Sequence, residues 1–400
     1  YNCASCLQKN KRAKISRYKH RRRLQKIGEG FNSIMNFKIP KSSIAEPLSL
    51  LASVAESRQS IPILSNIYIK AENEEITLIA TDLEIELSFN VECKDIKENG
   101  ETTVSARKIF DLTRSLSEDT ALEFSLKDNQ LIVTALKFNG EFAILPIQDF
   151  PVVEVEKFDL ETKIKGDLLA DLIDQTSFAM ASQDVRYYLN GILIEIEGAK
   201  VNLVATDGHR LAWATETLDA ELNENKLILP RKSAIELQKL LNLFPGEVNL
   251  CFSTNQILIS SNEFRFVSKL IEGNYPDYQK VFPKGEEQTL KVEKSLMQTA
   301  LSRASVLSNE KYRGVKFILS KDNLRICANN PSKESAEEEI AVDYSGDELE
   351  IGFNISYIQE SLSVINNPEV EFVFFGSENS CIIKNNKNDN LVHVIMPMRL

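Results

Sequence analysis

One block of sequence recurs along this 400-residue chain at a spacing near 124 residues. Leu203-Val204-Ala205-Thr206-Asp207-Gly208-His209-Arg210-Leu211-Ala212-Trp213 lies close to the middle. Thr77-Leu78-Ile79-Ala80-Thr81-Asp82-Leu83-Glu84-Ile85 echoes it, and Leu324-Arg325-Ile326-Cys327-Ala328-Asn329-Asn330 is a weaker third copy. Thr81 to Thr206 spans 125 residues and Ala205 to Ala328 spans 123. Val104-Ser105-Ala106-Arg107-Lys108 and Leu229-Pro230-Arg231-Lys232-Ser233 each open a helical pattern, with Arg107 and Arg231 lying 124 apart, and Asn354 follows Arg231 by 123. Asp149-Phe150-Pro151 corresponds to Asn274-Tyr275-Pro276. A period this long is a domain rather than a solenoid unit. The chain is therefore expected to be three copies of one domain in tandem, over 35–155, 156–280 and 281–400.

Each copy carries the same pattern. An opening strand such as Asn36–Ile39 precedes an amphipathic helix, expected near Ser43–Ala55, Asp167–Ala181 and Ser295–Leu307. Residues three and four apart mark the faces: Leu48, Leu51, Ala55; Leu168, Leu172, Gln175, Ala179; Leu296, Ala300, Arg303, Ala304, Leu307. Antiparallel hairpins follow, turning at Asn73-Glu74, Gly198 and Asp322-Asn323. A second helix is expected at Ile109–Leu116, Ser233–Leu241 and Ile355–Ile365, then closing strands. Two helices on antiparallel sheets make the fold class α+β.

The charge is uneven. Residues 1–34 hold ten Lys or Arg against Glu29, a net +9, which leaves −20 for the rest of a chain whose total is −11. That first stretch matches no repeat and is expected to be a basic extension, either disordered or upstream of a start at Met35. Its lone Cys3-Ala4-Ser5-Cys6 has no second pair to complete a zinc site. The acidic remainder argues against simple coating of DNA, but not against a basic inner surface. No run of 18 apolar residues and no apolar leader is present, so neither a membrane span nor a secretory signal is expected. Six Cys do not make a disulfide framework, and a cytoplasmic setting fits.

The usual catalytic signatures are missing: no phosphate-binding glycine loop, no H-E-x-x-H and no G-x-S-x-G. Three His in all cannot build a His-rich metal site, and no metal or cofactor is expected. Asp207 and His209, two apart, could pair on one face and serve a hydrolase. The plainer alternative is that Asp-Gly makes the turn, since the echo at Asp82 is followed by Leu-Glu without a His. Basic residues gather on or beside the helices: Arg58, Arg107, Lys108, Arg114, Arg231, Lys232, Lys239, Arg303, Lys311 and Arg313. They are either solvated faces or a lining that meets phosphates without reading bases.

Ala205-Thr206-Asp207-Gly208-His209-Arg210-Leu211, Gln183-Asp184-Val185-Arg186-Tyr187-Tyr188-Leu189-Asn190-Gly191, Leu307-Ser308-Asn309-Glu310-Lys311 and the terminal Met396-Pro397-Met398-Arg399-Leu400 together resemble the bacterial sliding clamps, the beta subunits of DNA polymerase III. The resemblance runs from Met35 to Leu400. It implies a non-catalytic subunit of a DNA-directed DNA polymerase (a nucleotidyltransferase). It implies a head-to-tail homodimer of six domains closed as a ring around double-stranded DNA, without sequence preference. By the same resemblance, Arg58, Arg107, Lys108, Arg114, Gln183, Tyr187, Tyr188 and Lys232 fall at DNA-facing positions. Phe142, Val306 and Leu307 fall at the subunit interface. A hydrophobic pocket for short motifs is implied at Arg186, Leu189, Thr206, Gly208, His209, Arg210, Leu211, Pro276, Val281, Asn354, Tyr357, Ser380, Val394, Met396, Pro397, Met398 and Arg399. Its expected partners are the polymerase III alpha subunit, the clamp loader, other DNA polymerases, mismatch-repair proteins and ligase. Lys280 and Glu378 stand where better-studied members carry other residues, which bears on selectivity at the pocket's rim. A hydrolase centred on Asp207 and His209, or a scaffold with no DNA role, are the alternatives.

Overall fold

The computed structural model describes residues 34–55, 61–153, 158, 160–385 and 388–399. Six α-helices are present among them: α1 (Lys41–Val54), α2 (Ala106–Ser115), α3 (Gly166–Ser177), α4 (Arg231–Leu243), α5 (Lys294–Ser305) and α6 (Ile355–Val364). They fall two to a repeat, and each repeat opens on a strand (Met35–Pro40, Leu160–Lys165, Gln288–Glu293) that runs straight into its first helix.

The repeat is written in hydrogen bonds as well as in sequence. The first backbone N–H of each opening helix donates to a carbonyl just ahead of a closing strand. These bonds are Lys41 to Thr120 at 2.8 Å, Gly166 to Gly246 at 2.7 Å and Lys294 to Pro368 at 2.7 Å. Lys41 and Lys294 also turn their ammonium groups onto the last carbonyls of the paired helix, Leu116 and Ile365, each at 2.7 Å. A cation at a helix C-terminus meets both the orphan carbonyls and the negative end of the dipole. The central repeat has Gly166 there, where a Cβ would lie 3.0 Å from the Gly246 oxygen.

The described residues form two compact units, those up to 154 with 262–265 and those of 155–261 with 266–400. In the first, strands Asp95–Glu98, Met35–Pro40, Ala121–Lys127, Gln130–Ala135 and Phe138–Ala143 make an antiparallel sheet in that order. Phe37 stacks on Phe124 across it, with ring centroids 4.7 Å apart. In the second unit, one sheet runs through Gly191–Thr206, Arg210–Pro230, Asn388–Ile395, Cys381–Asn385, Glu369–Phe374, Gln288–Glu293 and Asp343–Tyr344. The ladder of Arg210 with Ile395 through Ala214 with Leu391 crosses from the second repeat into the third. That shared sheet is why these two repeats behave as one body. A further sheet, Ser335–Ala341, Asn323–Asn329, Gly314–Ser320 and Leu349–Asn354, completes the third repeat. Phe317, Phe353, Phe372 and Phe374 fill its core.

Three sequence expectations need correction. Helix α3 stops at Ser177, four residues before the expected Ala181, and buries Leu169, Leu172, Ile173 and Thr176 rather than Leu168. Helix α5 ends at Ser305 and buries Met297 and Leu301 beside the expected Ala300 and Ala304, while Leu296 is exposed. Gly198, with φ +63°, does not separate two strands; the extended segment Gly191–Thr206 is continuous and slips register on either side of it.

Candidate functional site

The site grows from the turn that follows Thr206. Thr206 Oγ1 donates to the Arg210 carbonyl and accepts from Gly208 N at 3.1 Å. Asp207 Oδ1 accepts from His209 N at 2.8 Å and Arg210 N at 3.1 Å. The echo repeats this network: Thr81 Oγ1 bonds Ile85 O and Leu83 N, and Asp82 Oδ1 bonds Glu84 N and Ile85 N. In the third repeat Asn330 Oδ1 accepts from Ser332 N and Glu334 N. Thr-Asp is therefore a turn device. A residue with φ near +80° follows it, Leu83 in one copy and Gly208 in the other.

What sets the central copy apart is the side chain of Arg210, only 9 % exposed. Its Nε donates to Asp207 Oδ2 at 3.1 Å, one terminal nitrogen to the Phe178 carbonyl at 2.7 Å, and the other pairs with Glu360 on α6. The guanidinium is stacked between Phe178 (5.2 Å) and Tyr357 (4.4 Å). A planar cation with several donors suits this cage, and a point-charge Lys would not fill it. Asp207 is thus committed to the turn and to Arg210. His209 is exposed, and the turn does not form the Asp–His face pair needed by a hydrolase.

The loop after α3 closes over this turn. Asp184 and Asn190 exchange bonds at 2.9 Å, and Asp184 chelates the Arg186 guanidinium at 3.0 and 2.8 Å. That pair pulls the Asp184 carboxyl down to about 2. Arg186 also donates to Asp207 O at 3.1 Å and covers Gly208, whose absent Cβ would sit 2.9 Å from its guanidinium. Leu189 is buried and Tyr188 half-buried behind it.

Leu193, Val204, Leu211, Ile228, Tyr278, Val392 and Val394 form one apolar cluster, with Tyr188, Tyr275 and Val281 packed at its margin. The C-terminal strand supplies the far wall. Met396 N donates to His209 O at 3.0 Å, and Met398 N to Gly352 O at 2.8 Å. Met396 is exposed, Pro397 and Met398 are half-buried, and Arg399 lies at the rim 3.9 Å from Glu378. Pro276 is exposed, Ser380 half-buried, and Asn354 caps α6 by accepting from Ser356 N at 2.9 Å. His393 beneath is 1 % exposed, edge-on to Phe178 at 5.0 Å, with Nε2 at 3.2 Å from Gln175 O. Burial pushes its pKa down to about 4.

The proposed DNA-facing residues divide between the units. Arg107, Lys108 and Arg114 are exposed on α2, with Asp111 between the two arginines at 2.9 and 3.5 Å. In the other unit, Gln183 and Tyr187 are exposed. Gln183 and Lys232 line a pocket of about 390 Å³ together with Arg231 at the start of α4. Arg58 lies outside the described residues. Of the interface candidates, Val306 is 77 % exposed just past α5, Leu307 is half-buried, and Phe142 is half-buried on the edge strand Phe138–Ala143. Sequence reasoning missed Phe178, Asp184, Glu360 and His393. Asp184 alone left a signal, standing inside a motif quoted for its neighbours.

The profiles of the DNA polymerase III beta subunit N-terminal, central and C-terminal domains match residues 35–154, 163–277 and 279–399. The chain belongs to the DNA polymerase III beta subunit family. It is 43 % identical over 369 residues to a beta sliding clamp of Pseudomonas aeruginosa, covering 92 % of this chain and all of that one. A Pseudomonas putida beta sliding clamp is 41 % identical over 367 residues, with the same coverage. A crystal structure of the P. aeruginosa sliding clamp bound to griselimycin superposes with a TM-score of 0.87 at 42 % identity, over 92 % of this chain and all of that one. Three tandem clamp domains and the role of a non-catalytic processivity subunit in replication follow from this membership. Partners in general are DNA and proteins that bind clamps. The hydrolase and scaffold alternatives are set aside. No helix among the described residues is long and apolar enough to cross a membrane.

Proposed function

We propose that two copies of this chain join head to tail, close a ring on duplex DNA in the cytoplasm, and tether replication and repair proteins to it through the pocket around Leu211 and Val394. The carrying observation is that pocket: an apolar cluster at the seam of the second and third repeats, rimmed by Arg186, His209, Met396 and Arg399. Such a site suits a short apolar motif anchored by a few polar contacts. The occupants would be motifs of the polymerase III alpha subunit, the clamp loader, other polymerases, mismatch-repair proteins and ligase, competing for one site per chain.

Two features support the ring. Phe138–Ala143 and Ser335–Ala341 are edge strands in their respective sheets, and unpaired edges invite pairing with another chain. Head-to-tail contacts that close give rings. A ring needs no tight grip, so a few cations on α2 and near Gln183 and Lys232 suffice for mobile phosphate contacts despite the acidic total. The test is to load the protein onto nicked circular DNA with its clamp loader and ATP, isolate the complex, and cut the circle once. Retention on circles and release on linearisation is expected. Retention on both forms would mean a direct grip and would overturn the ring.

A further inference from the structure

Beside the apolar cluster, and sharing Leu193, Ile228 and Tyr278 with it, lies a cleft of about 780 Å³. Its far wall is charged. Glu195, Glu197, Glu272 and Asp277 line it against a single cation, Lys226. Glu195 is only 1 % exposed, bonded by the Tyr278 hydroxyl at 2.6 Å and paired with Lys226. The pairing raises the Lys226 pKa, with Glu197 and Asp277 adding to the field. Lys226 therefore satisfies the buried carboxylate, while Glu197, Glu272 and Asp277 are all exposed at the opening.

We propose that this cleft takes a Lys or Arg side chain from the residues flanking a partner's apolar motif, so that basic flanks are selected over neutral ones. The inference rests on the pocket function proposed above. It commits to that occupant for two reasons. The cleft is continuous with the apolar cluster, so a segment anchored there brings its own flank past the opening. Of the four carboxylates in the lining, Glu195 pairs with Lys226 and Asp277 with Lys280 at the rim, 3.1 Å away, which leaves a net negative opening at Glu197 and Glu272 that complements a cation and repels an acidic flank. Long basic side chains can also lay their methylenes on Leu193 and Ile228 while the head stays wet.

The test uses the full chain and two synthetic peptides with one apolar motif, one flanked by Lys-Arg and the other by Gln-Gln. Binding is read by fluorescence anisotropy at low and high salt, for the natural protein and for a Glu197→Gln/Glu272→Gln/Asp277→Asn variant. These three residues are surface groups whose loss leaves Glu195 and its partners in place. The basic flank should bind about three- to tenfold tighter at low salt, the gain expected of a few exposed charge pairs. The gain should shrink in high salt and vanish in the variant, with the neutral peptide binding both proteins equally. Equal affinity for the two peptides would overturn the cleft and leave the pocket standing. A basic-flank advantage that survives in the variant would place the selecting charges elsewhere and also overturn it. Failure of both peptides to bind would sink the pocket and this inference with it.

Discussion

Arg210 and His393 show how much one buried residue is asked to do at this seam. Arg210 satisfies two carboxylates, a carbonyl and two ring faces from elements far apart in sequence. Each alone is modest, but removing the cation would leave carboxylates without their partner in a partly dry site. His393 is the opposite case, a group kept neutral because burial strips its charge of water and Arg210 opposes it, which together outweigh the hydrogen bond to the Gln175 carbonyl. Its folded pKa is depressed to about 4, against about 6.5 in the unfolded chain. Above that unfolded value both states are neutral and nothing is lost. As pH falls from there towards the folded value, the unfolded chain takes up a proton that the folded chain refuses, so stability drops. The full loss is about 3 kcal/mol at 1.36 kcal/mol per pH unit. Denaturant titrations between pH 7.5 and 4.5 should show this decline, and His393→Leu should flatten it. An unchanged slope in that variant would assign the acid sensitivity to the carboxylates instead.

The hairpin turn was legible at the scale of one element, because Thr-Asp chemistry is local and repeats. The end of α3 was not. Phe178, Ala179, Met180 and Ala181 continue an apolar, helix-compatible composition. What stops the helix is long-range: Arg210 holds the Phe178 carbonyl, and Ala181 N donates to Leu189 O. The burial of Met297 rather than Leu296 on α5 has the same origin, since both are apolar and only packing chooses between them. The resemblance proposed the pocket's basic and apolar residues, whereas nothing in the sequence pointed to the Glu360 partner, 150 residues from Arg210. The two matching turns give a paired prediction. Asp82→Ala should cost about 1–2 kcal/mol in its own unit, for two backbone N–H groups left without an acceptor, and leave motif-peptide affinity untouched. Asp207→Ala should cost at least as much and also weaken the peptide, because it frees Arg210. Equal effects of both on peptide binding would show that the pocket does not depend on this turn.

For the whole molecule, the repeat predicts a register between protomers. Leu211, which opens the strand after the turn, pairs with Val394 of the closing strand. Ser335 faces Asn329 as Leu211 faces Thr206. Phe142 faces Leu131 as Ile395 faces Cys381, so Glu141 corresponds to Val394. Ser335 should therefore lie opposite the partner subunit's Glu141. A Ser335→Cys/Glu141→Cys chain should form covalent dimers under mild oxidation, whereas Ser335→Cys with Lys127→Cys should not. Cross-linking of both pairs alike would indicate random collision. Phe138 and Phe142 lay their rings over Gly140 on that edge, where a Cβ would meet them at 2.6 and 3.2 Å. An aromatic stripe on an otherwise unpaired edge is the apolar component such a contact needs.

The turn that recurs after Thr81 and Thr206 has a consequence for how a chain like this can change. Thr and Asp side chains bond its backbone in the same way in both copies, so the side chains that follow need not make the bend. One copy spends them on Leu83, Glu84 and Ile85; the other on Gly208, His209 and Arg210. Having the same bend more than once leaves the side chains after it open to differ between copies. A substitution at the exposed His209, whose backbone alone joins the turn, can alter what the bend presents without removing the bonds that form it.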